Sequence, residues 1–160
     1  MSEDEIVSKI RTAISALAEN DAQLLSFDVN ERSITHKLAQ YLEPLFRGYD
    51  VDCEYNRVGT ERDKKILHRL ASEIEEIGQP SLTDTDAKTV FPDIIVHIRG
   101  GQKAQDNLLV IEAKKAMRSS AFDVKKLKAY KHELGYQYAY SVVFAKVGES
   151  FLDSTVTAVI

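Results

Sequence analysis

Apolar residues recur along the chain with two different periods. Over residues 4–18, Ile6, Ile10, Ala13, Ile14 and Leu17 fall on one stripe at helical spacing, which predicts a first amphipathic helix. Asn30 reads as the N-cap of a second helix through "ERSITHKLAQYLEPLF", with Ile34, Leu38, Leu42 and Leu45 on its buried face and Pro44 disturbing its last turn. The period then drops to two. In "YDVDCEYNRV", Val51, Cys53 and Tyr55 alternate with Asp52, Glu54 and Asn56, the pattern of a half-exposed strand. Helical spacing returns in "TERDKKILHRLASEIEEIG", where Ile66, Leu67, Leu70, Ile74 and Ile77 form a row between Thr60 as N-cap and Gly78 as terminator.

The segments "VFPDIIVHI" and "NLLVIEA" are almost continuously apolar and rich in β-branched residues, and they flank a Gly-Gly loop. They predict a hairpin of central strands covered on both faces, since an edge strand would alternate more cleanly. A helix through Val124, Leu127, Tyr130 and Leu134 stops at Gly135, and "YQYAYSVVFAKV" supplies a further strand. "GESFLDSTVTAVI" has no period strong enough to assign. The order of elements predicts an α/β fold, a mixed central β-sheet flanked by helices on both faces. Its 160 residues fit one domain, with 1–29 as a helical extension and 30–147 as the core.

Composition narrows the classes. With 44% apolar and 29% charged residues, and no repeat or low-complexity tract, disorder is not the expectation. The acidic start "MSEDEIVSKI" is unlike a signal peptide, and no apolar run of membrane-spanning length occurs, so a cytoplasmic protein without a membrane partner is expected. Cys53 is the only cysteine, which excludes an internal disulfide and a zinc site built on several thiolates; it reads as a packed, reduced thiol. A net charge of −4 argues against indiscriminate coating of nucleic acid, but the charge is unevenly spread. Residues 1–31 carry seven acidic and two basic side chains, whereas residues 114–132 hold six Lys and one Arg against Asp123 alone. Lys115, Arg118, Lys125, Lys126 and Lys128 therefore read either as a solvated helix face or as a surface contacting phosphates.

The two apolar strands carry charges at their ends, where lone charges are costly to bury. Opposed residues of an antiparallel pair have a constant index sum. Closing the hairpin at Ile98 and Asn107 therefore sets Asp93 opposite Glu112, and Lys114, two residues on, shares the face of Glu112. Two neighbouring carboxylates hold their protons unless a cation compensates, and Lys114 offsets one charge. A magnesium or manganese ion with oxygen ligands answers the rest, polarising a phosphoryl oxygen and acidifying a bound water. Lys114 would then orient or deprotonate that water, or stabilise charge developing on phosphorus oxygens. Glu31 lies on the core-facing stripe of its helix at the N-terminal end, suited either to the helix dipole or to metal or water binding. The tripeptide acid-x-Lys occurs four times, at Asp63, Asp86, Glu112 and Asp123, but only Glu112 follows an apolar strand and faces a second acid across a hairpin.

Helical Glu31, "FPD" with Asp93, and "EAK" with Glu112 and Lys114 resemble the PD-(D/E)XK nuclease superfamily over about residues 30–147. The resemblance implies a restriction-endonuclease-like core and hydrolysis of DNA phosphodiester bonds. It also implies Asp93, Glu112 and the Ala113 carbonyl as metal ligands, Lys114 as the catalytic lysine, and Glu31 as the carboxylate many members carry on a helix. Pro92 matches the family's proline. The helix expected between the first two strands departs from members that join them directly. RNA carries the same phosphodiester and fits the residues as well. The core leaves little chain for target reading, so structure-directed cleavage or a targeting partner protein is expected, and a homodimer would bring two sites to two strands. The alternative is a non-catalytic binding module for nucleic acid or protein on the same fold.

The remaining residues read as scaffold. His97 is expected to be packed or hydrogen-bonded, and His36, His68 and His132 to lie at the surface. Tyr136, Tyr138 and Tyr140 suit strand packing better than base stacking, and Asp123 suits a helix cap better than a metal.

Overall fold

The computed structural model describes residues 1–26, 29–55, 91–101, 103–115, 121–147 and 150–159. Helix α1 (Glu3–Asn20) begins in a capping box, in which the Glu5 amide donates to the Ser2 hydroxyl and the Ser2 amide to the Glu5 carboxylate. A short helix α2 (Ala22–Ser26), not legible in the periodicity, turns the chain toward α3 (Glu31–Leu42). Asn30 caps α3 by accepting the Arg32 amide, and Pro44 sits early in a 3-10 turn at Glu43–Leu45, where its missing N–H costs nothing.

Five strands form one sheet in the order β1 (Asp50–Cys53), β2 (Ile94–His97), β3 (Asn107–Lys115), β4 (Tyr138–Val147) and β5 (Ser150–Ala158). Neighbours run antiparallel except β3 and β4, whose parallel pairing is made by the crossover helix α4 (Ala121–Leu134). The sheet is mixed, as expected. It extends to Ala158, beyond the core boundary at residue 147, because the chain after Val147 turns back along β4 as the edge strand β5.

Successive residues of the strands serve two apolar layers. On one face Ile94, Val96, Leu109, Ile111, Ala113, Tyr140, Val142 and Phe144 pack with Ile6, Ile10 and Leu17 of α1 and Ile34, Leu38 and Leu42 of α3. The helix in residues 1–29 is thus part of the main core and not an appendage. On the other face Ile95, Val110, Ala139 and Val159 meet Leu127 and Tyr130 of α4. β2 is buried along its whole length and β3 along Leu108–Ala113, the continuous burial that their apolar sequences require.

The β2–β3 register carries the index sum of 205 through Ile94↔Ile111, Ile95↔Val110 and Val96↔Leu109. The closing pair differs from expectation. His97 opposes Asn107, the Ile98 amide donates to the Asp106 carbonyl, and Leu108 is the extra residue of a bulge. The bulge lets both Leu108 and Leu109 enter the core and frees the Asn107 amide side chain to donate to the Leu134 carbonyl at 2.7 Å.

The helix expected over 60–78, with His68, and Arg118 fall outside the described residues. Among the described residues no helix is long and apolar enough to cross a membrane.

Candidate functional site

The apolar run of β2 and β3 ends at one edge of the sheet, and polar side chains gather there. One step beyond the last pair, Ile94↔Ile111, Asp93 meets Glu112. Both lie on the face covered by α4, as do Ile95 and Val110, which alternate with the residues under α1 and α3. A parallel crossover returns the chain antiparallel to β3, so the first turns of α4 stand over the end of β3. Asp123, Lys126, Leu127 and Tyr130 occupy one stripe of α4 at helical spacing. Its polar start faces the polar strand ends, and its apolar remainder faces the apolar strands.

Glu112 is only 5% exposed. Burial, and then the charge of Asp93, push its pKa up to about 8; the Lys126 ammonium, 2.7 Å from its Oε2, opposes this without outweighing it. Asp93 is also raised, chiefly by burial, against the Ala113 amide that donates to its Oδ2 at 2.8 Å. The two carboxyls lie close enough to share a hydrogen bond, which requires one of them to keep a proton. With both ionised, Glu112 Oε1 is buried with no hydrogen-bond partner, and so is the Tyr130 hydroxyl of α4. Burial, followed by the charges of Glu112 and Asp93, holds that hydroxyl far above the usual range of a phenol.

The lysines are placed differently from the sequence expectation. Lys114 shares the face of Glu112, but its Nζ lies 3.2 Å from Asp123 Oδ2. Burial works against its charge, yet the hydrogen bond and charge of Asp123, helped by Glu31 and Asp93, raise its pKa. Asp123, 9% exposed, is therefore a member of the cluster and not merely a cap. Lys126, expected on a phosphate-contacting surface, turns inward instead, because Glu112 is the only carboxylate with which it forms an ion pair among the described residues. Lys125 and Lys128 lie exposed on the outer side of α4. Lys115 directs its ammonium to the Val29 carbonyl at 3.4 Å, while its backbone amide donates to Glu31 Oε2 at 2.9 Å. Glu31 thus reaches from α3 to the end of β3, toward the cluster that the sequence associated it with. The spacing Asp123, Lys126, Leu127, Tyr130 was the available signal for the two residues missed. It shows charged residues in register with core ones, on the same stripe.

A cleft of ≈480 Å³ opens beside this cluster, lined by the cap Asn30 and by Glu31, Arg32, Thr35 and His36 of α3, Cys53 at the end of β1 and Glu54 after it, and Phe91 and Asp93 before β2. Glu54 is held at φ 50, its amide donating to the Pro92 carbonyl at 3.0 Å. The Cys53 thiol is half-buried, as expected, and burial followed by the neighbouring carboxylates pushes it up to about 11, so it stays protonated. His36 is exposed and bonded to Gln40.

A second polar cluster occupies the other end of the same sheet face. His97, 4% exposed, bonds Asp52 through Nε2 at 2.9 Å, and Arg99 Nε donates to the same carboxylate at 2.8 Å. The Arg99 amide donates to Asp50, and the Tyr55 ring lies against His97 at 4.9 Å. His97 is a packed, hydrogen-bonded histidine. Tyr136 and Tyr140 are buried as packing residues, although on opposite faces, because Tyr136 precedes β4 and escapes its alternation.

Among the described residues no three His, Cys, Asp or Glu side chains converge closely enough to hold a metal ion by themselves. The convergent pair is Asp93 and Glu112. The Ala113 carbonyl leaves β3 on the same side as the amide that Asp93 accepts, beyond the last rung of the β2 ladder, and offers a backbone oxygen beside them. Compared with known proteins, the chain matches no family model, no curated protein and no solved structure.

Proposed function

We propose that the chain is a nuclease that hydrolyses DNA phosphodiester bonds with a magnesium or manganese ion, built on a variant of the PD-(D/E)XK, restriction-endonuclease-like core. The observation that supports this is the pairing of Asp93 with Glu112 around a buried, unpartnered carboxylate oxygen. A chain keeps two acids together in a low-dielectric place only by retaining a proton, and a hard cation with oxygen ligands removes that need. Asp93, Glu112 and the Ala113 carbonyl would hold the ion, and Glu31 would join through the oxygen that the Lys115 amide leaves unused. When bound, the ion polarises a phosphoryl oxygen and acidifies water.

The chain's own residues supply the remainder. Lys114, held by Asp123 and kept protonated at neutral pH, suits stabilisation of negative charge on phosphorus oxygens better than proton abstraction. Tyr130 and the apolar layer under α4 exclude water from the back of the carboxylates. Exposed Lys125 and Lys128 suit the flanking backbone.

One observation favours a second reading, a non-catalytic binding module: the Lys126 ammonium already occupies one oxygen of Glu112 at 2.7 Å. Titration with magnesium separates the two. The nuclease reading expects a saturable thermal shift that Asp93→Ala abolishes, together with metal-dependent cutting of DNA that Lys114→Ala abolishes. Absence of the shift, or cutting that ignores both substitutions, removes it.

A further inference from the structure

We infer that the cleft beside Asp93 receives a single unpaired nucleobase, so that the preferred substrate is a DNA strand unpaired next to the cut; this deepens the nuclease reading and rests on it. The cleft is continuous with the carboxylate cluster through Asp93 and Glu31, and its volume suits one small planar group. Its charges say which part of a nucleotide enters. Glu31, Glu54 and Asp93 line it against Arg32, which already pairs with Glu54 at 2.8 Å, so a phosphate inside would be repelled. A neutral ring with exocyclic amino groups would find acceptors in those carboxylates and in the Asn30 side chain. The cations lie outside, with Lys114 and Lys126 at the cluster and Lys125 and Lys128 on α4, where the backbone would run.

Phe91 provides the stacking surface. Its ring lines the cleft two residues before Asp93 and is 47% exposed, an apolar face left to solvent beside a site otherwise made of polar groups. Arg32 is 79% exposed, and an ion pair so open to water is weak enough to let the guanidinium move onto a base or an adjacent phosphate. A paired base cannot enter such a cleft without leaving its partner and its stack, whereas a base in a single strand has no partner to leave and pays less. With the ion of the proposed reading offsetting Asp93 and Glu112, a phosphate beside them and the adjoining base against Phe91 is the arrangement that suits both sets of charges.

The test is binding of a labelled single-stranded oligonucleotide in magnesium to protein carrying Lys114→Ala, so that the strand survives, compared with the same strand bearing an abasic site at successive positions and with its duplex. Phe91→Ala is expected to weaken single-strand binding by about 10-fold, within the range measured for base–aromatic stacking. Phe91→Trp should restore it. One abasic position should cost as much as Phe91→Ala and add nothing to it, and the duplex should bind less tightly and ignore Phe91→Ala. Equal binding of Phe91→Ala and Phe91, or abasic losses spread evenly, overturns the inference. So does a lack of any single-strand binding, which would leave the cleft to a peptide side chain. Cleavage by protein with Lys114 intact is scored separately. Cutting that ignores Phe91 and strand state removes the base cleft and spares the nuclease reading. Base-dependent binding without cutting does the reverse.

Discussion

Two clusters of charge sit at opposite ends of the same face of the sheet, and their carboxylates behave in opposite ways. At one end Asp52 accepts from both His97 and Arg99, and these partners lower its pKa even though burial, the largest single influence, raises it. At the other end Glu112 faces Asp93, and burial with like charge lifts it to about 8 despite Lys126. Glu112 is buried and Asp52 half-buried, both lie near basic residues, and composition alone would not separate them. What separates them is satisfaction of hydrogen bonds. Asp52 has donors converging on it and needs nothing further, whereas Glu112 keeps an oxygen without a donor. The first arrangement stabilises a scaffold; the second favours a ligand, because anything positive that binds there relieves an existing cost.

The largest expected effect lies in cleavage. Asp93→Ala or Lys114→Ala should reduce metal-dependent DNA hydrolysis by about 100- to 10,000-fold, the range for losing a positioned catalytic group, while Asp52→Asn leaves the rate nearly unchanged. Loss of activity in Asp52→Asn with the fold intact by circular dichroism would erase the contrast between the two ends.

Opposite pH dependence of stability follows from the same contrast. Folding raises Glu112 from an ordinary 4.5 to about 8, so its contribution is fullest below pH 4.5 and is lost as pH rises through 8. Melting in metal-free buffer should fall by more than about 5 °C between pH 5 and pH 8, and Glu112→Gln should flatten that slope. Magnesium should recover stability at pH 8 more than at pH 5, where protons compete for the carboxylates. Folding lowers Asp52, whose contribution is present above its ordinary 3.8 and disappears as pH falls below it. Asp52→Ala should cost about 1–3 kcal/mol in urea unfolding at pH 7, since His97 and Arg99 lose the carboxylate they share. Glu112→Gln should cost less at pH 8 or even stabilise.

The smallest effect is expected on the outer side of α4. Lys128→Ala should weaken DNA binding uniformly across sequences and reduce the salt dependence by about one unit, as loss of one phosphate contact does. An unchanged salt slope would make that side of the helix a solvated face.

Much of this arrangement is legible in the sequence. The unbroken apolar character of "NLLVIEA" identified a buried strand, and the index sum across the hairpin placed Asp93 against Glu112. The closing pair departs from the index sum because two successive leucines, Leu108 and Leu109, give no sign in the sequence of which one is the extra residue of a bulge. Asp123 and Lys126 escaped for a related reason. A helix rich in lysine invites the reading of a solvated face, and only the partner strand shows that its first turn covers buried acids. β5 escaped because an edge strand needs no strong alternation when its pairing to β4 fixes it.

Glu31 has a consequence of its own. Its Oε2 accepts the amide of Lys115, the last residue of β3, and its other oxygen is left for a cation. Recruitment of Glu31 by an ion would therefore draw electron density from the oxygen this amide uses and weaken that one hydrogen bond, so its hydrogen would exchange with solvent faster while the rest of β3 stayed protected. The peptide proton at Lys115 is a built-in indicator of whether the ion has taken Glu31.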